Sequence, residues 1–138
     1  MADTFRFELV SPERLLMAED VAQVDVPGAE GDFGVLPQHA PAISTLRAGV
    51  LSVRGESGAP REVFVRGGFA EVRPDLLTVL AEQAIPVEEI DEAVLAQEIK
   101  NAEEDVADAK DDGTREKAEQ HLARLTEVVA ALRAAGHG

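Results

Sequence analysis

The chain is 138 residues long, enough for one sizeable core or for one domain with an appendage. Its formal charge of −14, without a basic run or any interleaving of basic and aromatic residues, argues against nucleic acid and anionic membrane surfaces as partners and favours proteins and cationic surfaces. The absence of cysteine excludes disulfides and thiolate metal sites.

The first residues, Thr4-Phe5-Arg6-Phe7-Glu8-Leu9, alternate polar with apolar and predict a strand with one buried face. They lack the unbroken apolar run of a signal peptide. The same period of two recurs in Val24-Asp25-Val26, Val50–Arg54, Glu62–Arg66, Ala70–Arg73 and Leu77-Thr78-Val79. Turn residues separate these runs at Pro27-Gly28, Gly55–Pro60, Gly67-Gly68 and Pro74-Asp75. Short strands at near-regular spacing predict an antiparallel β-sandwich or flattened barrel over residues 1–87. Between the second and third of these runs, Gly31–Pro41 crowds two glycines, two prolines and one histidine into a short segment, which reads as a loop of specified shape.

After Pro86 both prolines and phenylalanines stop and the period changes. Leu95, Ile99, Ala102, Val106 and Ala109 step by four and three, as do Ala118, Leu122, Leu125, Val129 and Leu132 beyond Gly113. Residues 88–138 therefore predict an antiparallel two-helix hairpin turning at the glycine, and the fold class is α+β. The alanines make a weak seam, so the hairpin is expected to lean on another surface. Eleven carboxylates lie between Glu88 and Asp112 against Lys100 and Lys110, making the first helix acidic. No segment approaches the roughly 20 apolar residues that cross a bilayer, so membrane association is expected only through a partner.

Few residues suggest chemistry. His39 could serve as a base or a metal ligand, but neither a second histidine nor a nucleophile accompanies it, and a loop-fixing hydrogen bond or a partner contact is the better reading. Glu30 and Asp32 bracket Gly31 and supply too few oxygens for calcium; they read as an exposed acidic rim. Arg66-Gly67-Gly68-Phe69 reads as a strand-to-strand turn with Phe69 in the core, and Glu103-Glu104-Asp105 as a solvated helix face. With no catalytic residue, cofactor cradle or metal cluster left, the chain reads as an interaction protein.

These residues resemble the epsilon-subunit family of bacterial F-type ATP synthases, whose mitochondrial counterpart is called delta. The family pattern stands here as Glu30-Gly31-Asp32-Phe33-Gly34-Val35-Leu36-Pro37-Gln38-His39-Ala40-Pro41, with further matches at Gly67–Val72, Thr78–Glu82 and Ala84–Ala93. The resemblance implies about ten strands plus the hairpin. It also implies a non-catalytic rotor subunit that grips gamma, rests on the c-ring and couples ring rotation to the catalytic head. By motif position it places Glu30, Gly31, Asp32 and His39 at the c-ring contact. It implies a peripheral position on the cytoplasmic side of the inner membrane, no cofactor, and a monomer when isolated. The hairpin then reaches toward the alpha/beta head as a weak inhibitor of ATP hydrolysis, and departures from the family's ATP-binding pattern imply weak or absent ATP binding. Two rival readings are a binding module that dimerises through Leu95, Ile99, Leu122 and Leu125, and an enzyme using His39 with Asp32.

Overall fold

The computed structural model describes residues 3–137. Ten strands, β1 (Phe5–Val10), β2 (Leu15–Val21), β3 (Gln23–Val26), β4 (Phe33–Val35), β5 (Ala42–Thr45), β6 (Gly49–Arg54), β7 (Arg61–Arg66), β8 (Phe69–Val72), β9 (Leu76–Leu80) and β10 (Gln83–Pro86), precede a 3-10 turn at Val87–Glu89. Two helices follow, α1 (Glu92–Asp108) and α2 (Asp112–Ala134). The strands form two five-stranded sheets in the orders β2-β1-β9-β8-β5 and β10-β7-β6-β3-β4. The α+β class and the sandwich-then-hairpin order are as the sequence predicts.

Alternation drives the sandwich. Phe5, Phe7 and Leu9 of β1 point inward and meet Leu51, Val53, Val63 and Val65 of the opposite sheet, all of them buried. Pairing is antiparallel except between β1 and β9, which run parallel. No hairpin joins that pair, so the long intervening chain is unconstrained in the direction it brings β9 back.

Strands β2, β4, β5 and β10 escape the sequence pattern because their burial does not alternate cleanly; β5 has no fully buried residue. The loop expected over Gly31–Pro41 therefore contains a three-residue strand, β4, paired with β3.

The helices pack on the outer face of the second sheet. Phe64 and Leu95 join Val128, Ala131 and Leu132 in a second apolar cluster, with Ala48, Val50 and Ile85 beside them. This is the surface on which the hairpin was expected to lean. It explains why Val63, Phe64 and Val65 are all fully buried in succession: β7 is covered on both faces.

The helix junction differs from expectation. It lies at Ala109–Asp111, and Gly113 sits inside the first turn of α2. The Asp111 carboxylate accepts from the Thr114 backbone at 2.7 Å and the Thr114 hydroxyl at 3.0 Å, which starts the helix before the glycine. A glycine there is tolerated because first-turn N–H groups have no intrahelical partner to lose. At the other helix start, Asp91 accepts from the N–H groups of Ala93 and Val94.

The sandwich core holds 17 buried apolar residues and the cluster under the hairpin five. At roughly 1.5–3 kcal/mol for each large side chain removed from water, the hairpin is the more easily detached part.

Candidate partner-docking site

The turns of the sandwich gather at its two ends. Ser11–Arg14, Pro27–Asp32, Leu46–Ala48, Gly67-Gly68 and Ala81-Glu82 share one end, because the strands they join start or finish in register there. Leu36–Pro41 and Arg73–Asp75 share the other, tied by the Gln38 N–H donating to the Pro74 carbonyl at 2.9 Å.

Glu30, Gly31 and Asp32 stand together at the first end. Their turn is held by Gly31 N–H to the Gly28 carbonyl at 3.2 Å and Ala29 N–H to the Thr45 carbonyl at 2.9 Å. Gly28 is required: a Cβ there would lie 2.5 Å from the Gly31 carbonyl oxygen and 2.9 Å from the Phe33 ring. Gly31 adopts a φ of 140°. Glu30 is exposed, and no hydrogen bond or ion pair reaches its carboxylate among the described residues. Asp32 is gripped by Arg47, which donates from Nε at 3.0 Å and from Nη2 at 2.6 and 2.7 Å.

His39 is not brought to that turn. It follows β4, about 10 Å of chain at ~3.3 Å per residue, and lies at the other end of the sandwich. Its Nδ1 donates to the Ala40 carbonyl at 2.8 Å, a local bond that fixes the loop after Gln38, whose φ is 69°. A His39–Asp32 catalytic pair is therefore not assembled. Among the described residues no group of three His, Asp or Glu side chains could hold a metal ion, and no helix is long and apolar enough to cross a membrane.

An apolar surface escaped the sequence reading. Directly paired residues project on one face, and Leu15, Val10, Leu80 and Phe69 are paired in succession across β2, β1, β9 and β8. They form a row on the outer face of the first sheet. Leu15 is 56% exposed, Phe69 39% and Leu80 37%. Phe69 thus lies outside the core expected for it, because Ala70 and Val72 take the inward positions of β8. The register that assembles the row spans strands remote in sequence and cannot be read from any one of them.

A cleft of about 750 Å³ separates α1 and α2 from the sandwich edge. Glu82, Glu89, Asp91 and Glu98 line it with Arg66 and Arg124.

The model of the ATP synthase delta/epsilon chain β-sandwich domain matches residues 4–87. The ATP synthase epsilon chain of Mesorhizobium japonicum is 50% identical over 132 residues, covering 96% of this chain and 98% of that one. The epsilon chain of Parvibaculum lavamentivorans is 52% identical over 129 residues, covering 93% and 97%. Among solved structures, a chain of the Euglena gracilis mitochondrial ATP synthase, described as OSCP/F1/c-ring, superposes with a TM-score of 0.76 at 28% identity over 96% of this chain and 83% of that one. A chain of the Tetrahymena thermophila mitochondrial central stalk and c-ring shares the fold, with a TM-score of 0.53 at 13% identity over 62% and 68%.

Proposed function

The chain belongs to the ATP synthase delta/epsilon family and is a non-catalytic stalk subunit of that enzyme; on this premise we propose how its surfaces divide the work. Residues 1–87 form the docking domain for gamma and the c-ring, and residues 88–138 a regulatory hairpin. The apolar row Leu15–Val10–Leu80–Phe69 is the gamma surface, and the Glu30-Gly31-Asp32 turn at the same end is the ring contact. His39, which the same motif assigns to the ring, stands at the opposite end of the sandwich from that turn and is left out of this contact.

The observation that carries this reading is an asymmetry of cover. One outer sheet face is covered over β6, β7 and β10 by the chain's own helices, whereas the other exposes three large apolar side chains in one row. Such a row on a stalk subunit marks a docking face.

With gamma and the ring at one end, the chain is a wedge that turns with both. It transmits ring rotation without chemistry, on the cytoplasmic side of the inner membrane, and is a monomer when isolated. The hairpin is docked in this structure, and its reach toward the alpha/beta head requires release from Phe64. We propose that release is infrequent and inhibition weak. The carboxylates lining the cleft beside the hairpin disfavour a polyphosphate, in keeping with weak or absent ATP binding.

Native mass spectrometry with gamma from the same organism tests the assignment. A one-to-one complex that survives with residues 1–87 and is lost in Phe69→Asp/Leu80→Asp is the expected result. A complex indifferent to that double substitution places gamma elsewhere, and a stable homodimer instead restores the binding-module reading.

A further inference from the structure

We infer that His137 and Glu62 form a clasp that fastens the end of α2 to the sandwich, so that detachment of the hairpin is governed by the charge on one imidazole as well as by the apolar cluster around Phe64. That detachment leads to inhibition rests on the reading above; the clasp does not.

The reach of His137 is built into the helix end. Gly136 takes a φ of 91°, its N–H donates to the Arg133 carbonyl at 3.0 Å, and the His137 N–H donates to the Leu132 carbonyl at 2.8 Å. This pair of bonds turns the chain back over the last turn of α2. The reversal sets His137 against β7, where its Nε2 donates to Oε1 of Glu62 at 2.6 Å, 75 positions away in the chain. The two side chains are 35% and 26% exposed, so solvent screens the pair only in part. Glu62, Phe64 and Arg66 alternate with Val63 and Val65 and share the outer face of β7. They meet α2 in reverse order: Arg66 at Glu127 and Arg124, Phe64 at Val128, Ala131 and Leu132, and Glu62 at His137. The clasp is the outermost of three rungs, and the end of α2 cannot lift from β7 while it is closed.

The other charged groups lining the hollows on either side of the ring are Arg61 of β7, Glu19 of β2, Glu88 of the 3-10 turn, Glu92 of α1 and Arg133 of α2. Arg61, the cation next to Glu62 in the chain, is engaged by Glu19, which leaves Glu62 to the imidazole. A protonated imidazole makes a charge-assisted bond to Glu62, whereas a neutral one makes an ordinary hydrogen bond roughly half as strong. The clasp is therefore tighter in mildly acid than in mildly alkaline solution.

Amide hydrogen exchange of the full chain by NMR tests this, with rates expressed as protection factors so that the intrinsic effect of pH is removed. In mildly acid solution His137→Ala should lower protection of the Val128–Ala134 amides about two- to fivefold, the range of a partly exposed ion pair, and leave β1 and β9 unchanged. Glu62→Gln should do the same, and the double variant no more than either alone. His137→Gln, which keeps a donor but never a charge, should match the native chain in mildly alkaline solution and fall below it in acid. Unchanged protection in His137→Ala, additive losses in the double variant, or a loss of the same size at both pH values overturns the clasp. In the assembled ATP synthase, His137→Ala should deepen inhibition of ATP hydrolysis; lost protection with unaltered hydrolysis removes the regulatory reading and leaves the clasp standing.

Discussion

The Arg66 Nε, on the last residue of β7, donates to Oε1 of Glu127 in the middle of α2 at 2.9 Å. The same guanidinium donates from Nη2 to the Arg124 carbonyl at 2.7 Å, bonds Gln83 through Nη1 and lies 5.3 Å from the centre of the Phe64 ring. Its side chain is 19% exposed, so solvent screens it only in part. Arg66 thus joins the edge strand β10 and its neighbour β7 to the helix, next to the apolar cluster that does most of the holding.

Arg66→Ala should loosen α2 without unfolding the sandwich. Hydrogen bonds to a charged group contribute about 1.5–3 kcal/mol, and those lost here act between the two parts of the chain. Backbone amides of α2 are expected to exchange faster by hydrogen–deuterium mass spectrometry while those of β1 and β9 keep their protection. Uniform acceleration in both would show that Arg66 supports the whole fold.

Phe64→Ala should have the larger effect on docking. The ring is fully buried between β7 and the helices, and truncation of a buried phenylalanine costs about 3–5 kcal/mol. Trypsin should then cut at Lys100 and Arg115 many times faster than in the native chain, leaving the sandwich intact. Unchanged cleavage would mean that the hairpin is held by something other than this cluster.

Gly68→Ala should destabilise the sandwich itself. Gly68 has a φ of 89°, and an added Cβ would fall on the Leu80 carbonyl, a backbone atom that cannot step aside. The loss is expected to exceed about 1 kcal/mol in urea unfolding. Gly58, with a φ of 92° and open space around it, is the control: alanine there should cost less.

The start of α2 should be acid-sensitive. The Thr114 backbone N–H, and then its hydroxyl, hold the Asp111 carboxyl below its ordinary value of 3.8. Because the folded value is the lower one, the cap is at full strength above the ordinary value and is lost as pH falls through the folded value. Protection of the Thr114 amide should be flat from neutrality to about pH 4 and then decline in more acid solution. Asp111→Ala should abolish that dependence, and a profile unchanged by the substitution would assign the acid response to another group.

Much of the architecture was legible because it is local. Phe5, Phe7 and Leu9 alternate on a strand with one wet face, and Leu95, Ile99 and Ala102 step along a helix. Each pattern announces its element without reference to anything distant. Strands β2, β4, β5 and β10 were illegible for the converse reason: short or lying at sheet edges, they bury too little on one face to alternate. The docking of the hairpin had left a signal in Val63-Phe64-Val65, an unbroken apolar run where a half-buried strand should alternate. It marked a second covered face, and the expected alternation concealed it.

The candidate site divides the same way. Its residues were recognisable from the order Glu30-Gly31-Asp32 and from His39, since glycines and a proline fix a turn wherever they stand. That Asp32 is bound to Arg47, 15 positions along the chain, and that β4 carries His39 to the far end of the sandwich were not. By itself, then, the sequence determined the cleanly alternating strands and the two helices, their order, the family and the residues that the turn displays, because propensity, period and motif act over a few neighbouring positions. Only the tertiary structure decided which sheet face the helices cover, which apolar row stays bare and which of two acids remains unpaired. Those outcomes depend on pairing register between strands distant in the chain, and a register shift of one residue would turn every side chain concerned to the opposite face.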